Sequence, residues 1–231
     1  MKVSSNLAAI ETTGISQRVA ANNLANMRSD GFKRGITVQG SASSVSVRSD
    51  TGQGALIVAG NGFSVAVNGQ GYLPLKLSNG ETSYSRGASL AVSKNGTLTD
   101  RAGNAVVPGI QLPTSVNAVS VDNTGVVSAT DLSGQRKDYG QLQLAVFANP
   151  GALAKVGNGM LLATKGSGSA LLNAPGNGVA GSLLFGASEQ SNVAPASDMV
   201  TMMINQVTMA YNVKAIQVQE QMSQVGLSIK A

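Results

Sequence analysis

The most restrictive feature of the sequence is a heptad repeat near its C-terminus. Its members are separated by alternating steps of four and three residues, which is the period of a coiled coil. They are Ile204, Thr208, Tyr211, Ala215, Val218, Met222, Val225 and Ile229. The repeat predicts a helix from about Ser197 to Ile229, with Ser197 as its N-cap and Asp198 at the positive end of the helix dipole. A helix of roughly 30 residues is about 45 Å long, so a small domain cannot cover the whole repeat.

A second helix is predicted at the N-terminus, from Val3 to about Met27. Its apolar residues recur at spacings of mostly three to five, which places them on one face. They are Val3, Leu7, Ile10, Ile15, Val19 and Leu24. The helix should end before Asp30-Gly31, because glycine readily adopts the left-handed conformation that terminates helices.

We expect the two terminal helices to pair within the chain. The C-terminal helix carries further apolar residues beside its heptad repeat, namely Met202, Met203, Val207 and Met209. The surplus apolar surface should therefore meet other subunits. Contacts that repeat head to tail without closing a ring build a helical filament.

Between the helices the pattern changes to that of short strands and turns. Apolar residues alternate in Phe63-Val65-Val67, Leu73-Leu75-Leu77 and Leu142-Leu144-Val146. Asn-Gly pairs, which favour tight hairpins, lie between such runs at Asn61-Gly62, Asn68-Gly69, Asn79-Gly80 and Asn95-Gly96. The fold class predicted is α+β, with paired, coiled-coil-like N- and C-terminal α-helices and a central β-rich domain of short antiparallel strands.

The same patterns predict four segments. Residues 1–35 form the N-terminal helix and the loop that follows it, and residues 36–66 an extended linker or β segment. Residues 67–185 form the β-rich domain, and residues 186–231 the C-terminal helix that pairs with the N-terminal one.

The composition argues against most kinds of catalytic, metal-binding and nucleic-acid-binding site. The chain has no Cys and no His, which removes thiol nucleophiles, His-based triads and the usual zinc sites. Its net charge of +5 is scattered and aromatic residues make up 3%, so we expect no nucleic-acid partner. The sequence predicts no catalytic residue, no cofactor, no metal site and no small-molecule ligand. The N-terminus lacks the apolar core of a cleaved signal peptide.

Two short motifs resemble ligand-binding sites in their order of residues but lack other features that such sites need. Gly176-Asn-Gly178-Val-Ala-Gly181 has the spacing of a dinucleotide-binding loop, but no helix is predicted to open at it. Asp122-Asn123-Thr124-Gly125 lacks the later acidic residue that a calcium loop needs. We interpret the second motif as a hairpin turn.

Three separate segments resemble one known family, the flagellar rod and hook proteins. The first is Ala21-Asn22-Asn23-Leu24-Ala25-Asn26 followed by Asp30-Gly31-Phe32-Lys33-Arg34. The second comprises Val67-Asn68-Gly69-Gln70-Gly71-Tyr72, Tyr84-Ser85-Arg86 and Asn95-Gly96-Thr97-Leu98. The third runs from Glu189-Gln190-Ser191-Asn192-Val193 into the C-terminal helix. The stretches from about Gly35 to Ala59 and from Pro150 to Leu184 show little resemblance.

The resemblance implies a structural subunit of the bacterial flagellar basal body, in the rod that spans the periplasm. It implies copies of the chain itself and other rod and hook subunits as partners, and export by the flagellar type III apparatus. The short linker after Arg34 and the modest middle make the chain most similar to the proximal rod protein. The distal rod and hook proteins remain alternatives within the family, and a secreted, adhesin-like β-rich module remains one outside it.

On this basis we predict a polymerisation interface on the two terminal helices. Its expected residues are Leu7, Ile10, Asn22, Asn23, Leu24, Asn26, Ile204, Tyr211, Val218, Met222, Val225 and Ile229.

Overall fold

The structure is a computed structural model that describes residues 2–40, 44–59, 63–113, 116–157 and 159–228. It contains two long helices, α1 (Lys2–Ala25) and α2 (Pro195–Ser228), at the two ends of the chain. A 3-10 turn spans Pro150–Ala152. The strands are β1 (Gly35–Gln39), β2 (Val45–Ser49), β3 (Leu56–Val58), β4 (Ser64–Asn68), β5 (Leu73–Lys76), β6 (Thr82–Ser85), β7 (Gly87–Val92), β8 (Leu98–Asp100), β9 (Ala105–Val106), β10 (Val116–Val121), β11 (Val126–Asp131), β12 (Arg136–Gln141), β13 (Leu144–Val146), β14 (Ala154–Gly157), β15 (Met160–Leu162), β16 (Leu171–Asn173), β17 (Ser182–Phe185) and β18 (Ala187–Glu189). The α+β class predicted from the sequence is confirmed.

The chain divides into two compact units. The helical unit takes the described residues of 1–27, 34–50 and 193–231, and the β unit takes those of 28–33 and 51–192. The helical unit therefore contains α1, α2 and the antiparallel hairpin of β1 and β2. None of the described helices is both long and apolar enough to span a membrane.

In the helical unit α1 and α2 pack against each other in antiparallel directions. Ser16 on α1 accepts a hydrogen bond from Asn205 on α2 at 3.0 Å. Seven residues further along α1, Asn23 donates to Asp198, seven residues back along α2, at 3.3 Å. These two bonds fix the register of the helix pair.

The start of α2 corrects one prediction. The helix begins at Pro195, so Ser197 lies inside its first turn and is not the N-cap. Proline suits the first helical position because its missing N–H would have no partner there. Asp198 lies in the first turn as predicted, and its backbone N–H donates to the carbonyl of Ala194 at 3.1 Å.

A nine-stranded sheet dominates the β unit, in the order β14-β15-β6-β5-β9-β8-β7-β4-β17. The unit also contains the three-stranded sheet β10-β11-β12 and the pairs β13-β16 and β18-β3. All of these strands pair antiparallel. Antiparallel strands can be joined by two-residue turns, which explains the many short connections.

The predicted alternation supplies the core of the β unit. Val65, Val67, Leu73, Leu75 and Leu144 are all buried in one apolar cluster. Leu90, Leu98, Val106, Ile110, Leu112, Val119, Val121, Val127, Ala129, Leu142, Ala180 and Leu183 complete that cluster. Tyr72, Tyr84 and Phe147 belong to a second, smaller cluster, where the rings of Tyr84 and Phe147 meet edge to face at 4.8 Å.

Two of the four Asn-Gly pairs form hairpin turns where the sequence predicts them. Asn68-Gly69 does not, because it lies between β4 and β5, which do not pair with each other. Gly80 joins β5 to β6 and Gly96 joins β7 to β8, with φ angles of 87° and 80°. These positive values favour glycine because it has no Cβ. The pair Asn61-Gly62 lies outside the described residues.

Candidate assembly surface

The predicted heptad repeat forms an exposed strip along α2. Its described members, from Ile204 to Val225, are all exposed. Tyr211 and Met222 are each 70% exposed. We call this strip the exposed seam; its described residues are Ile204, Thr208, Tyr211, Ala215, Val218, Met222 and Val225. The remaining predicted member, Ile229, lies outside the described residues.

Pairing within the chain uses a different face of α2 from the one the sequence predicts. From Asp198 onward, the buried and partly buried residues of α2 other than Thr201 repeat with the same steps of four and three, but many of them are polar. They are Asp198, Met202, Asn205, Met209, Asn212, Ile216 and Gln219. The buried side chains of α1 are small or polar as well, namely Thr13, Ala20 and Asn23.

Small side chains on α1 and hydrogen bonds therefore decide which face of α2 is covered. The prediction that the Ile204-to-Ile229 repeat pairs with the N-terminal helix is wrong for its described members. Judged by hydrophobicity alone, the exposed seam would be the face expected to pair with α1. Buried polar groups need partners, and Asn23 and Ser16 each form one hydrogen bond with the covered face, to Asp198 and Asn205. Among the described residues, the second carboxylate oxygen of Asp198 and the side-chain nitrogen of Asn212 are buried without a hydrogen-bond partner.

A strip free of charge surrounds the first half of the exposed seam. No Asp, Glu, Lys or Arg occurs from Met199 to Val213. In this stretch Met199, Val200, Met203, Val207 and Val213 are exposed in addition to the seam. Contiguous exposed apolar surface of this kind marks interaction sites in soluble proteins.

The predicted interface residues of α1 take several different positions. Leu7 and Asn22 are exposed, whereas Ile10 and Leu24 are partly buried. Asn26 folds back along the helix, where its Nδ2 donates to the carbonyl of Asn22 at 2.9 Å. Asn23 is buried, so its side chain serves contacts within the chain.

Asn23 joins α1 to the strand that follows it. Its Nδ2 donates to the carbonyl of Gly35 at 3.0 Å, and its Oδ1 accepts from the N–H of Gly35 at 2.8 Å. A Cβ at Gly35 would lie only 3.0 Å from Val19 Cγ1, so glycine permits this close approach. The asparagine of the family motif thus fixes the direction in which the chain leaves α1.

A buried cluster of three charges joins distant segments of the β unit. Glu189, which is 2% exposed, forms ion pairs with the buried side chains of Lys33 and Arg86. The distance from Arg86 Nε to Glu189 Oε2 is 2.8 Å. Glu189 Oε1 also accepts from the N–H of Gly54 at 2.9 Å. One carboxylate therefore links three distant parts of the chain.

The two cations of this cluster have further partners. Lys33 Nζ donates to the carbonyl of Gly52 at 2.7 Å. Arg86 donates to the carbonyls of Gly71 and Val67 at 2.6 and 3.1 Å. Buried ions are tolerated when hydrogen bonds satisfy their remaining atoms, and this cluster meets that condition.

Sequence patterns give no role to these three residues. In the sequence, each of them only forms part of one of the three motifs that resemble the family, namely Lys33, Arg86 and Glu189. The hydrogen-bonded pair of Lys33 and Glu189 is separated by 156 positions, so no local spacing reveals it. The signal that could have found the cluster is the presence of charged residues in all three motifs.

Burial also changes the acidity of groups near this cluster. Desolvation raises the pKa of the Tyr72 hydroxyl, and nearby Glu189 raises it further, while Arg86 opposes both. The Arg86 guanidinium lies 5.6 Å from the centre of the Tyr72 ring, in cation–π contact. Burial lowers the pKa of Lys155, whose Nζ donates to the carbonyl of Lys33 at 2.6 Å.

Neither of the two ligand-like motifs has the structure of a ligand site. Asp122 Oδ1 accepts from the N–H groups of Thr124 and Val126, both at 2.9 Å, so it closes the turn between β10 and β11. The Thr124 hydroxyl, which also donates to it, lowers the pKa of Asp122. The Gly176–Gly181 segment lies between β16 and β17 and opens no helix. Among the described residues, no group of three or more acidic side chains could hold a metal ion.

Comparison with known proteins places this architecture in a family. Residues 66–129, within the β unit, match the model described as the flagellar hook protein FlgE/F/G D1 domain. The flagellar basal-body rod protein FlgG of Caulobacter vibrioides is 30% identical over 243 residues, which cover 92% of this chain and 93% of that protein. FlgG of Buchnera aphidicola subsp. Baizongia pistaciae is 31% identical, covering 93% of this chain and 94% of that protein.

A hook protein is similar over a shorter stretch. The flagellar hook protein FlgE of Salmonella typhimurium is 36% identical over 109 residues, which are 47% of this chain and 27% of the hook protein. The two rod proteins match over 92% and 93% of this chain. The chain belongs to the flagellar basal-body rod protein family.

Proposed function

We propose that this protein is a structural subunit of the flagellar basal-body rod and that it assembles through its terminal helices. The observation that carries the proposal is the exposed seam of α2. A helix with apolar side chains on a face that α1 leaves exposed gains free energy when another subunit covers that face. The rod proteins that match nearly the whole chain support the same function.

The partners proposed are copies of this chain and other rod and hook subunits. The α2 helix is 34 residues long, which corresponds to about 51 Å, and α1 is ten residues shorter at 24. The exposed seam and the exposed residues beside it cover a wider arc than one helix contacts. We infer that α2 meets more than one neighbour, as the subunit of a tube requires.

Two further parts of the proposal follow from family membership. The subunit resides in the rod, where it helps to transmit torque from the motor to the hook. The flagellar type III apparatus exports it. A hook subunit is the second candidate, since a FlgE protein matches 109 residues. The matches of rod proteins to nearly the whole chain favour the rod over the hook, and over an adhesin-like module.

The test is a charge placed in the exposed seam. Val218 is 47% exposed, so Val218→Asp is tolerated in the free subunit. In the assembly the carboxylate is buried without a partner, which costs several kcal/mol. A cost of about 3 kcal/mol raises the concentration needed for assembly by roughly 100-fold. Sedimentation and electron microscopy of concentrated protein measure assembly, and swimming of a deletion strain that carries the variant measures function.

The matched control is Val179→Asp, the same change at a residue that is 66% exposed in the β unit. We expect this control to assemble and to restore swimming. Circular dichroism should show that both variants keep the helices and strands of the parent. If Val218→Asp assembles and supports swimming as well as Val179→Asp, the seam is not an assembly surface.

A further inference from the structure

The oxidisable sulfur of this chain is concentrated on the assembly helix. The chain has eight Met and no Cys, so thioethers are its only sulfur groups. Five of the eight lie in α2, namely Met199, Met202, Met203, Met209 and Met222. Most of the thioether groups of the chain therefore lie on α2.

Three of these methionines are exposed on the surface proposed for assembly, and Met203 and Met222 are more exposed than Met199, which is 49% exposed. Met222 belongs to the exposed seam and is 70% exposed, and Met203, beside Ile204, is 63% exposed. In contrast, Met160 in the β unit is partly buried, and its sulfur accepts a hydrogen bond from the Ser83 hydroxyl at 3.6 Å. Oxidation of a thioether depends on access of the oxidant to sulfur. Met203 and Met222 should therefore be oxidised before Met160.

We propose that Met203 and Met222 form an oxidation site at which a peroxide converts the free subunit into a form that does not assemble. The proposal rests on the function proposed above, because it assigns to the same surface a means of control. In the assembled rod the neighbouring subunits cover this surface. The reaction consequently acts on subunits before they join the rod.

The chemistry needs only the thioether and hydrogen peroxide. A lone pair of the Met sulfur attacks one peroxide oxygen, an S–O bond forms, and the O–O bond breaks. The departing hydroxide takes up the proton of the transferred oxygen and leaves as water. Sulfur is oxidised by two electrons and the peroxide is reduced by two.

The product changes the surface from apolar to polar. A sulfoxide carries a strong hydrogen-bond acceptor, and burying it without a donor is unfavourable. We expect each buried sulfoxide to raise the concentration required for assembly by about tenfold. The β unit should remain folded, since both residues lie outside it.

The experiment compares assembly before and after peroxide treatment. Purified full-length chain is treated with hydrogen peroxide, and mass spectrometry of peptides locates each added oxygen. We expect Met203 and Met222 to gain oxygen before Met160 does, and the oxidised chain to lose assembly. Reduction by methionine sulfoxide reductases should restore it. Oxidised protein that assembles at the same concentration as untreated protein overturns the proposal.

Three variants isolate the site. Met203→Leu/Met222→Leu keeps an apolar side chain of similar volume and should assemble after peroxide treatment. Met203→Gln/Met222→Gln, which is polar without oxidation, should fail to assemble in the absence of peroxide. The control Met27→Leu removes an exposed Met outside α2 and should stay sensitive to peroxide. The proposal is wrong if the leucine variant loses assembly after treatment as completely as the parent does.

The outcomes separate this proposal from the function on which it depends. If untreated parent protein neither forms tubes nor restores swimming to the deletion strain, the rod function itself fails. If untreated protein assembles and oxidised protein assembles at the same concentration, the proposed function stands and the proposed oxidation site is wrong.

Discussion

Replacing Glu189 by Gln tests whether the buried charge cluster holds the β unit together. The change keeps the size of the side chain but removes the negative charge that pairs with both Lys33 and Arg86. An amide has a single oxygen. If that oxygen faces Lys33 and the N–H of Gly54, the amide nitrogen faces Arg86 Nε, and two donors then meet across a distance that was 2.8 Å.

The expected loss can be estimated from these contacts. Removing one partner of a buried ion pair costs about 3–5 kcal/mol. Here Lys33 keeps its bond to the Gly52 carbonyl, and Arg86 keeps its bonds to two carbonyls. We therefore expect the lower end, about 3 kcal/mol. With a urea dependence of about 2 kcal/mol per molar, the unfolding midpoint of the β unit should fall by about 1.5 M.

Urea unfolding monitored by tyrosine fluorescence measures this change. Tyr72 and Tyr84 lie in the β unit, and the chain contains no Trp. The matched control is Glu81→Gln, since Glu81 is exposed in the same unit and accepts a bond from Asn79 at 2.7 Å. We expect the control to change stability by no more than about 0.5 kcal/mol.

The reasoning is refuted if Glu189→Gln and Glu81→Gln unfold at the same urea concentration. That result would mean that the carbonyl partners of Lys33 and Arg86 satisfy the two cations without a counter-charge. A lower midpoint with an unchanged slope would support the loss of a contact within an otherwise native β unit.

Two further predictions concern close contacts of the backbone. Asn23→Ala removes both hydrogen bonds between α1 and β1 and should cost about 1–3 kcal/mol, measured as earlier loss of the helical circular-dichroism signal in urea; the exposed neighbour variant Asn22→Ala should match the parent. Gly54→Ala would place a Cβ 1.9 Å from a backbone carbonyl oxygen, so it should lower the melting temperature of the β unit by several degrees. The control Gly109→Ala meets no atom within 4 Å, and equal melting temperatures for the two alanine variants would contradict the close contact.

Local patterns predicted the elements of this fold well. The spacing of Leu7, Ile10 and Leu24 indicated a helix, and α1 covers all three. Asn79-Gly80 and Asn95-Gly96 marked two hairpins that the structure contains. Such features depend on residues a few positions apart, and the sequence displays those directly.

The start of α2 and its paired face were harder to predict. Ser197 has the chemistry of an N-cap, but Pro195 begins the helix two residues earlier. The sequence predicts that the heptad repeat of Ile204 meets α1, yet α1 covers the strip that contains Asn205 and Asp198. Periodicity shows that a helix has a repeating face, but it does not show which partner that face receives.

The sequence by itself determined the two terminal helices, the hairpins between them and the family motifs. Each depends on local spacing or on a short run of residues. Only the tertiary structure decided that the seam of Ile204 and Tyr211 stays exposed, and that Glu189 joins Lys33 to Arg86. Those outcomes depend on which distant side chains satisfy one another's hydrogen bonds and charges when buried, and this choice is made by the folded chain as a whole.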